Sequence, residues 1–412
     1  MRKSFSLCGI LFFLSTMTAL VGCSGGNEPQ MIRIVSSLPR TGSAQGQTNS
    51  IVNGIKMALA EVNYQVGNFK IEYQDLDDAT ATAGKWEANA ELANANKAAR
   101  DPNVMAYIGT YNSGAAKVSM PVLNRAGLLM ISPANTSVGL TKPSGEPGEP
   151  ESYRPTGKIN YVRVVATDDL QGPLGADWAK SMGVKQVYIL DDKETYGMGV
   201  ANSFEKRCKE IGVKVLGHES ISVTATDFKS LMNSIKAKSP DLIYFGGTTQ
   251  SKGGQIAKDI REVNLDCKLM APDGCMEASF IDAAGAENLN NICYLTFPGL
   301  PKEELTANGK KFYADYKAKY QEEPEPYAIY GYESGKVALE AIRRAGKKDR
   351  AAIVQACLGI KDYDGAQGTW SFDENGDISL KRIGGYAVRN GKFEFVTILG
   401  DTAAAKQPAD SK

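Results

Sequence analysis

Residues 107–141 read YIGTYNSGAAKVSMPVLNRAGLLMISPANTSVGLT, and the same event occurs in them twice: an apolar run stops at a short polar turn. The first run, Val104 to Ile108, ends at Gly109, and Tyr111-Asn112-Ser113-Gly114 then opens a helical pattern. The second, Leu128 to Ile131, ends in Ser132-Pro133-Ala134-Asn135-Thr136. Short apolar runs alternating with helices are the mark of a parallel α/β sheet. Such sheets bind ligands beyond the carboxyl ends of their strands, where both turns would fall. The free amides at the helix start near Ser113 would face an anion. Pro121 lies inside that helix and is expected to kink or divide it.

On the amino-terminal side, Met31 to Val35 reads as a strand and Leu38 to Gln47 as a polar turn. Ile51, Val52, Ile55, Ala58, Leu59 and Val62 follow at helical spacing, then a strand at Phe69 to Tyr73 and a helix over Ala83 to Arg100. On the other side, Lys142 to Arg154 is rich in Pro and Glu, lacks periodicity and reads as an exposed loop. Tyr161 to Val165 is a strand, and Thr167 to Pro173 carries the chain into a second unit.

That unit repeats the pattern. Strands are expected at Gln186 to Leu190, Lys214 to Leu216, Leu242 to Phe245, Lys268 to Ala271 and Ile292 to Phe297. A turn at Asp191 to Gly197 precedes a helix at Val200 to Ile211, and further helices fall near 228–235, 254–263 and 278–283. Helices return at 300–320, 327–345 and 352–358, followed by strands at 382–389 and 393–398 and a solvated tail from 401. The fold class is therefore α/β, with two doubly wound parallel-sheet lobes. A chain of 412 residues is long enough for both to bury a core.

Residues 1–22 differ from the rest. Arg2 and Lys3 precede an apolar stretch from Leu7 to Leu20, too short for a membrane span and flanked as an export signal is. Its end, Leu20-Val21-Gly22-Cys23, resembles the lipobox of bacterial lipoproteins, which implies that Cys23 becomes the lipid-bearing first residue of an extracytoplasmic, membrane-anchored protein. Residues 23–30 would be a tether. Loss of the leader leaves 45 basic against 47 acidic residues, a net charge near −2 that gives no footprint for nucleic acid. Five cysteines remain, Cys208, Cys267, Cys275, Cys293 and Cys357, in an oxidising compartment. Cys267 and Cys293 each begin a strand of one sheet and are the first choice for a bridge.

Catalytic patterns are missing. His218 is the one histidine, so a histidine triad or zinc cluster is not expected, and a satisfied structural histidine is. Gly109 to Gly114 has the glycine spacing of a phosphate loop, but Ala115-Ala116 replaces the required Lys-Ser/Thr. Asp373 to Asp377 resembles the start of a calcium loop without its terminal glutamate, and Asn375-Gly376 is read as a hairpin turn. No catalytic residue, metal or cofactor is expected.

The remaining polar turns suit a zwitterion. Ser113, Thr136 and backbone amides would take a ligand carboxylate, while Asp273 and the Ala134 carbonyl would take its ammonium. At this point the chain resembles the leucine/isoleucine/valine-binding proteins of ABC transporters, of type I periplasmic binding fold. The resemblance is carried by Gly42, Gly54 to Asn63, Ile131 to Thr136, Leu170 to Pro173, Asp192 to Gly197, Asp227 to Leu231, Tyr244 to Gly247 and Phe372 to Asp377. It implies three crossovers, near Thr167, Pro298 and Gly365, giving lobes 31–167 with 299–365 and 168–298 with 366–400. It implies Tyr196 and Tyr327 as pocket walls, with Tyr111 and Gln47 at the side-chain end and Asn135 in the binding turn. Thr248 stands where some members have an aromatic residue, and Tyr111 adds a phenol, so amide, urea or aromatic-acid ligands stay open beside amino acids. A monomer that hands its ligand to permease subunits is expected; a receptor in place of the permease is the alternative.

Overall fold

The computed structural model describes Met1 and residues 30–400; the leader, Cys23, its tether and the tail lie outside the described residues. In chain order the strands are β1 (Gln30–Leu38), β2 (Gln65–Val66), β3 (Phe69–Asp77), β4 (Val104–Gly109), β5 (Leu129–Ser132), β6 (Tyr161–Arg163), β7 (Gln186–Asp191), β8 (Lys214–Ser220), β9 (Leu242–Gly246), β10 (Lys268–Ala271), β11 (Cys293–Phe297), β12 (Tyr363–Gly365), β13 (Gly368–Trp370), β14 (Ile383–Arg389) and β15 (Lys392–Leu399). The helices are α1 (Gln45–Glu61), α2 (Ala88–Arg100), α3 (Ser113–Arg125), α4 (Asp168–Ser181), α5 (Thr195–Glu210), α6 (Lys229–Lys236), α7 (Gly253–Glu262), α8 (Ala278–Ala284), α9 (Ala286–Leu289), α10 (Ala307–Tyr320), α11 (Ala328–Ala345) and α12 (Arg350–Leu358).

One sheet has the order β2-β3-β1-β4-β5-β6 and the other β15-β14-β11-β10-β9-β7-β8. In the first, only the β2–β3 edge pair is antiparallel. In the second, β14 and β15 add an antiparallel edge to a parallel centre. β4 is buried at every residue, as a central strand covered on both faces must be. The chain leaves the first sheet after β6, and from β11 it returns to it through α11, which packs on α1 and touches β4 and β5.

The α1–α11 contact depends on glycine. A Cβ on Gly54 would lie 2.2 Å from the Ala328 carbonyl oxygen, and one on Gly331 would lie 2.2 Å from that of Ile51. Backbone cannot yield as a flexible side chain can. Gly54→Ala is expected to lower stability by about 1–3 kcal/mol through overpacking, read as a lower urea midpoint at unchanged slope.

Several expectations need correction. α3 runs unbroken through Pro121; in so short a helix the missing N–H forfeits one bond and packing on α2 retains the rest. α2 starts at Ala88, because Thr80 to Glu87 is tied into a turn by Gly84 N–H to Thr80 carbonyl and the Ala79–Trp86 bridge. α5 starts at Thr195, so Tyr196 and Gly197 belong to its first turn. The segment 142–154 is not merely an exposed loop: Glu149 is buried, accepts from the Tyr153 hydroxyl at 2.7 Å and pairs with Lys117 at 2.6 Å. Cys267 and Cys293 are both free thiols, as are the other three described cysteines. Register explains this: Leu269 stands opposite Cys293, leaving Cys267 two residues short along a parallel pair. His218 is satisfied, with Nδ1 at 2.7 Å from Glu205 and Nε2 at 3.1 Å from Asp191. The Asn375-Gly376 turn forms as expected, with Gly376 at φ +88° and its N–H donating to the Asp373 carbonyl.

Candidate ligand-binding cleft

The two polar turns of the first sheet touch each other. Ser113 is the first residue of α3, and its Oγ accepts from Ser137 N–H at 3.4 Å. Asn135 binds the turns together: its Nδ2 donates to the Thr110 and Tyr111 carbonyls at 3.0 Å each, and its Oδ1 accepts from the Tyr161 hydroxyl at 3.2 Å. With its side chain spent in this way, Asn135 shapes the turn and has no group free for a ligand. Ala134 is buried, and no backbone N–H among the described residues donates to its carbonyl. The buried Thr136 hydroxyl has no hydrogen-bond partner.

Asp273 follows β10 of the second sheet and is buried in a ring of donors. Its Oδ1 accepts from Gln171 Nε2 at 2.6 Å and from the Tyr196 hydroxyl at 2.8 Å, and its Oδ2 accepts from the Tyr327 hydroxyl. Tyr327 immediately precedes α11, which packs on α1, so a residue from the side of the first sheet reaches the carboxylate of the second. The Tyr196 hydroxyl also accepts from Gly274 N–H at 2.9 Å. Tyr196 and Tyr327 thus form walls that hold Asp273 as well.

Sequence reasoning missed Asp168. It occupies the first turn of α4, is 1% exposed, and neither of its carboxylate oxygens has a hydrogen-bond partner. Burial and the neighbouring Asp273 charge push its carboxyl well above the ordinary carboxylate range, despite the nearby Thr136 hydroxyl. Burial likewise raises Asp273, against the lowering effect of Tyr327, Tyr196 and Gln171. The Gln171 Oε1, one turn along α4, is also unpartnered. Two carboxyls close enough to feel each other's charge and an unpartnered amide oxygen are therefore buried together. The Arg163 charge that reaches Asp168 is already engaged by Asp377 at 2.7 Å.

Two other expected residues are occupied. Gln47 Nε2 donates to the Met276 carbonyl at 3.0 Å and its Oε1 accepts from Tyr327 N–H at 2.9 Å, so its amide braces the two sides of the cleft. Thr248 lines a small cavity with Ser113 and Tyr196, while its Oγ1 caps a 3-10 turn by accepting from Ser251 N–H at 3.2 Å. Tyr111 is buried, its ring edge-on to Tyr327 at 5.9 Å. Lys85 and Glu194 pair across the cleft mouth at 2.8 Å.

Residues 31–392 match the periplasmic binding protein family. The chain belongs to that family. A Leu/Ile/Val-binding protein of Rhizobium johnstonii, BraC3, is 27% identical over 391 residues, covering 92% of this chain and 98% of its own. The leucine binding protein LivK of Thermotoga maritima superposes with a TM-score of 0.79 at 27% identity, over 89% of this chain and 98% of that one. The branched-chain amino acid transporter substrate binding protein LivJ of Streptococcus pneumoniae, solved with isoleucine, gives 0.77 at 25% identity, over 89% and 99%. The two-sheet architecture is thus the type I periplasmic binding protein fold. As a periplasmic binding protein the chain has its polar turns and Asp273 gathered between its two sheets. No described helix is long and apolar enough to cross a membrane.

Proposed function

We propose that this protein is the extracytoplasmic substrate-binding lipoprotein of an ABC importer, which closes on an amino acid and delivers it to a permease. The single observation that carries the reading is the buried, unpartnered Asp168 carboxyl beside Asp273, its nearby Arg163 already engaged by Asp377. An ammonium group fills such a site and restores the pairing that burial demands. Ser113 at the start of α3 and the Thr136 hydroxyl would receive the carboxylate, with the Ala134 carbonyl on the ammonium side. The names of the relatives, which bind leucine, isoleucine and valine, support the same class. Aromatic acids without an amine would leave Asp168 unpaired and Asp273 without a counter-charge.

Closure needs no covalent chemistry: a ligand touching both lobes favours the closed form by its differential contacts. The lobes are taken as 31–167 with 299–365 and 168–298 with 366–400, joined by three crossovers. The packing of Trp370 on Glu333 of α11 and of Asp377 on Arg163 argues for moving the third crossover past Ile378. Lipidation at Cys23 would keep a monomeric protein at the membrane, beside the permease subunits. A receptor in place of the permease would use the same cleft.

Thermal-shift screening of the full chain in mild detergent tests the binding class. Free L-amino acids are expected to raise the midpoint, since ligand at about 100 times its Kd adds about 2.7 kcal/mol, while their N-acetyl derivatives and benzoate leave it unmoved. A shift with benzoate or urea and none with any amino acid would overturn the assignment.

A further inference from the structure

Four residues after Asp273 the chain holds a third buried carboxyl, close enough to Tyr111 for its charge to be felt there. Glu277 precedes α8, is 2% exposed, and its Oε2 has no hydrogen-bond partner. Two buried hydroxyls, Thr249 Oγ1 and Ser279 Oγ, stand near enough to the carboxyl to lower its pKa and have no other partner. The residue before it, Met276, is the one whose carbonyl is held by Gln47 of α1. α8 packs against α1 across the cleft, and Ala278 N–H donates to Glu325 Oε2 at 3.2 Å. Glu277 therefore stands where the two lobes meet. Tyr111 feels the charges of both Glu277 and Asp273, so the phenol lies near both carboxyls.

An apolar side chain would find nothing to satisfy here. Burying leucine here leaves a desolvated carboxyl with two hydroxyls beside it and no counter-charge. A cation reverses the sign of that cost. We propose, on the reading that the cleft takes an amino acid, that its far end is built for a second positive group, so the ligand is a diamino acid whose side-chain amine meets Glu277 between Thr249 and Tyr111.

The balance of charge supports this. Asp168 and Asp273 feel each other's charge, Tyr111 feels both Asp273 and Glu277, and the acidic Glu325 lies near Glu277. Burial pushes the Glu277 carboxyl up to about 8, and the Glu325 charge adds to this. A bound amine would return it to its ionised form, as a paired carboxylate. One α-ammonium and one side-chain ammonium oppose Asp168 and Glu277, while Asp273 keeps its three donors.

Titration calorimetry on the full chain in mild detergent, with ornithine, lysine, leucine, isoleucine, threonine and glutamine, decides the matter. Ornithine or lysine is expected to bind more tightly than leucine by about tenfold or more, and Glu277→Gln is expected to shrink that ratio by about tenfold. The ranking on the unaltered protein stands whether or not the variant folds. If leucine, isoleucine or glutamine binds as tightly as both diamino acids, the inference is overturned while the amino-acid reading stands. A ratio unchanged by Glu277→Gln overturns the role given to Glu277. Binding of none of the six, with a response to benzoate or urea, overturns both.

Discussion

Asp168→Asn is expected to weaken amino-acid binding by about 2–5 kcal/mol while leaving the unliganded protein as stable as before, or more so. The two effects separate because Asp168 carries no protein bond to lose: both of its oxygens are buried and unpartnered. Asparagine keeps the shape, removes a desolvated carboxyl held beside Asp273, and leaves the ligand ammonium one counter-charge short. Asp273→Asn behaves differently. It disturbs a carboxylate that accepts from Gln171, Tyr196 and Tyr327, so affinity and stability fall together. Calorimetric Kd beside urea unfolding of the apo protein checks both, and an unchanged Kd for Asp168→Asn would remove Asp168 from the site. The same geometry sets a pH dependence. Burial and Asp273 raise the Asp168 carboxyl well above its ordinary value, so the ionised form that pairs with an ammonium is incomplete in the acidic range. Affinity should therefore tighten as pH rises from about 4, and the trend should flatten in Asp168→Asn. For the apo protein the sign is opposite. A carboxyl raised on folding contributes stability below its unfolded pKa and loses it as pH rises through the folded one.

The contrast between Asp168 and Asp273 also shows how far the chain discloses its own site. Asp273 follows an apolar run, and a carboxylate beyond a strand's carboxyl end is a binding candidate on topology alone. The sheets, Ser113 and Thr136 were legible for the same reason: each polar turn interrupts a run of apolar residues. Asp168 sits in Thr167-Asp168-Asp169, which reads as a helix cap with an acidic first turn. Only tertiary placement buries Asp168 and leaves its neighbour Asp169 exposed. Gln47, Asn135 and Thr248 failed in the reverse direction. Their donors and acceptors are visible in sequence, but whether the protein itself consumes them depends on how the turns fold, with partners from three residues away for Thr248 to 229 for Gln47. The expected Cys267–Cys293 bridge failed on register, a two-residue offset that strand boundaries cannot reveal.

The largest stability loss is expected where the binding turn is anchored, at Arg163. This guanidinium is fully buried; its Nε donates to Asp377 Oδ1 at 2.7 Å, and one terminal nitrogen donates to the Asn135 and Ser137 carbonyls at 3.0 and 2.7 Å. The other bonds the Thr141 hydroxyl, and Lys142 pairs with Asp377 Oδ2 at 3.0 Å. Arg163→Met strands Asp377 and frees two carbonyls at once, so it should cost about 3–5 kcal/mol, measured by urea unfolding. Burial alone would raise the Asp377 carboxyl, but Arg163 and Lys142 outweigh it and hold it below the usual range. A carboxyl depressed on folding contributes stability above its unfolded pKa near 4 and loses it as pH falls through the folded value. Arg163→Met should erase this acid limb. Joining Asp377→Leu to Arg163→Met removes the stranded charge, and most of the lost stability should return. Affinity should not. The donors that fix the carbonyls on either side of Thr136 are still missing, so the double variant folds well yet binds its ligand weakly. Recovery of both quantities together would show the pair to be structural only.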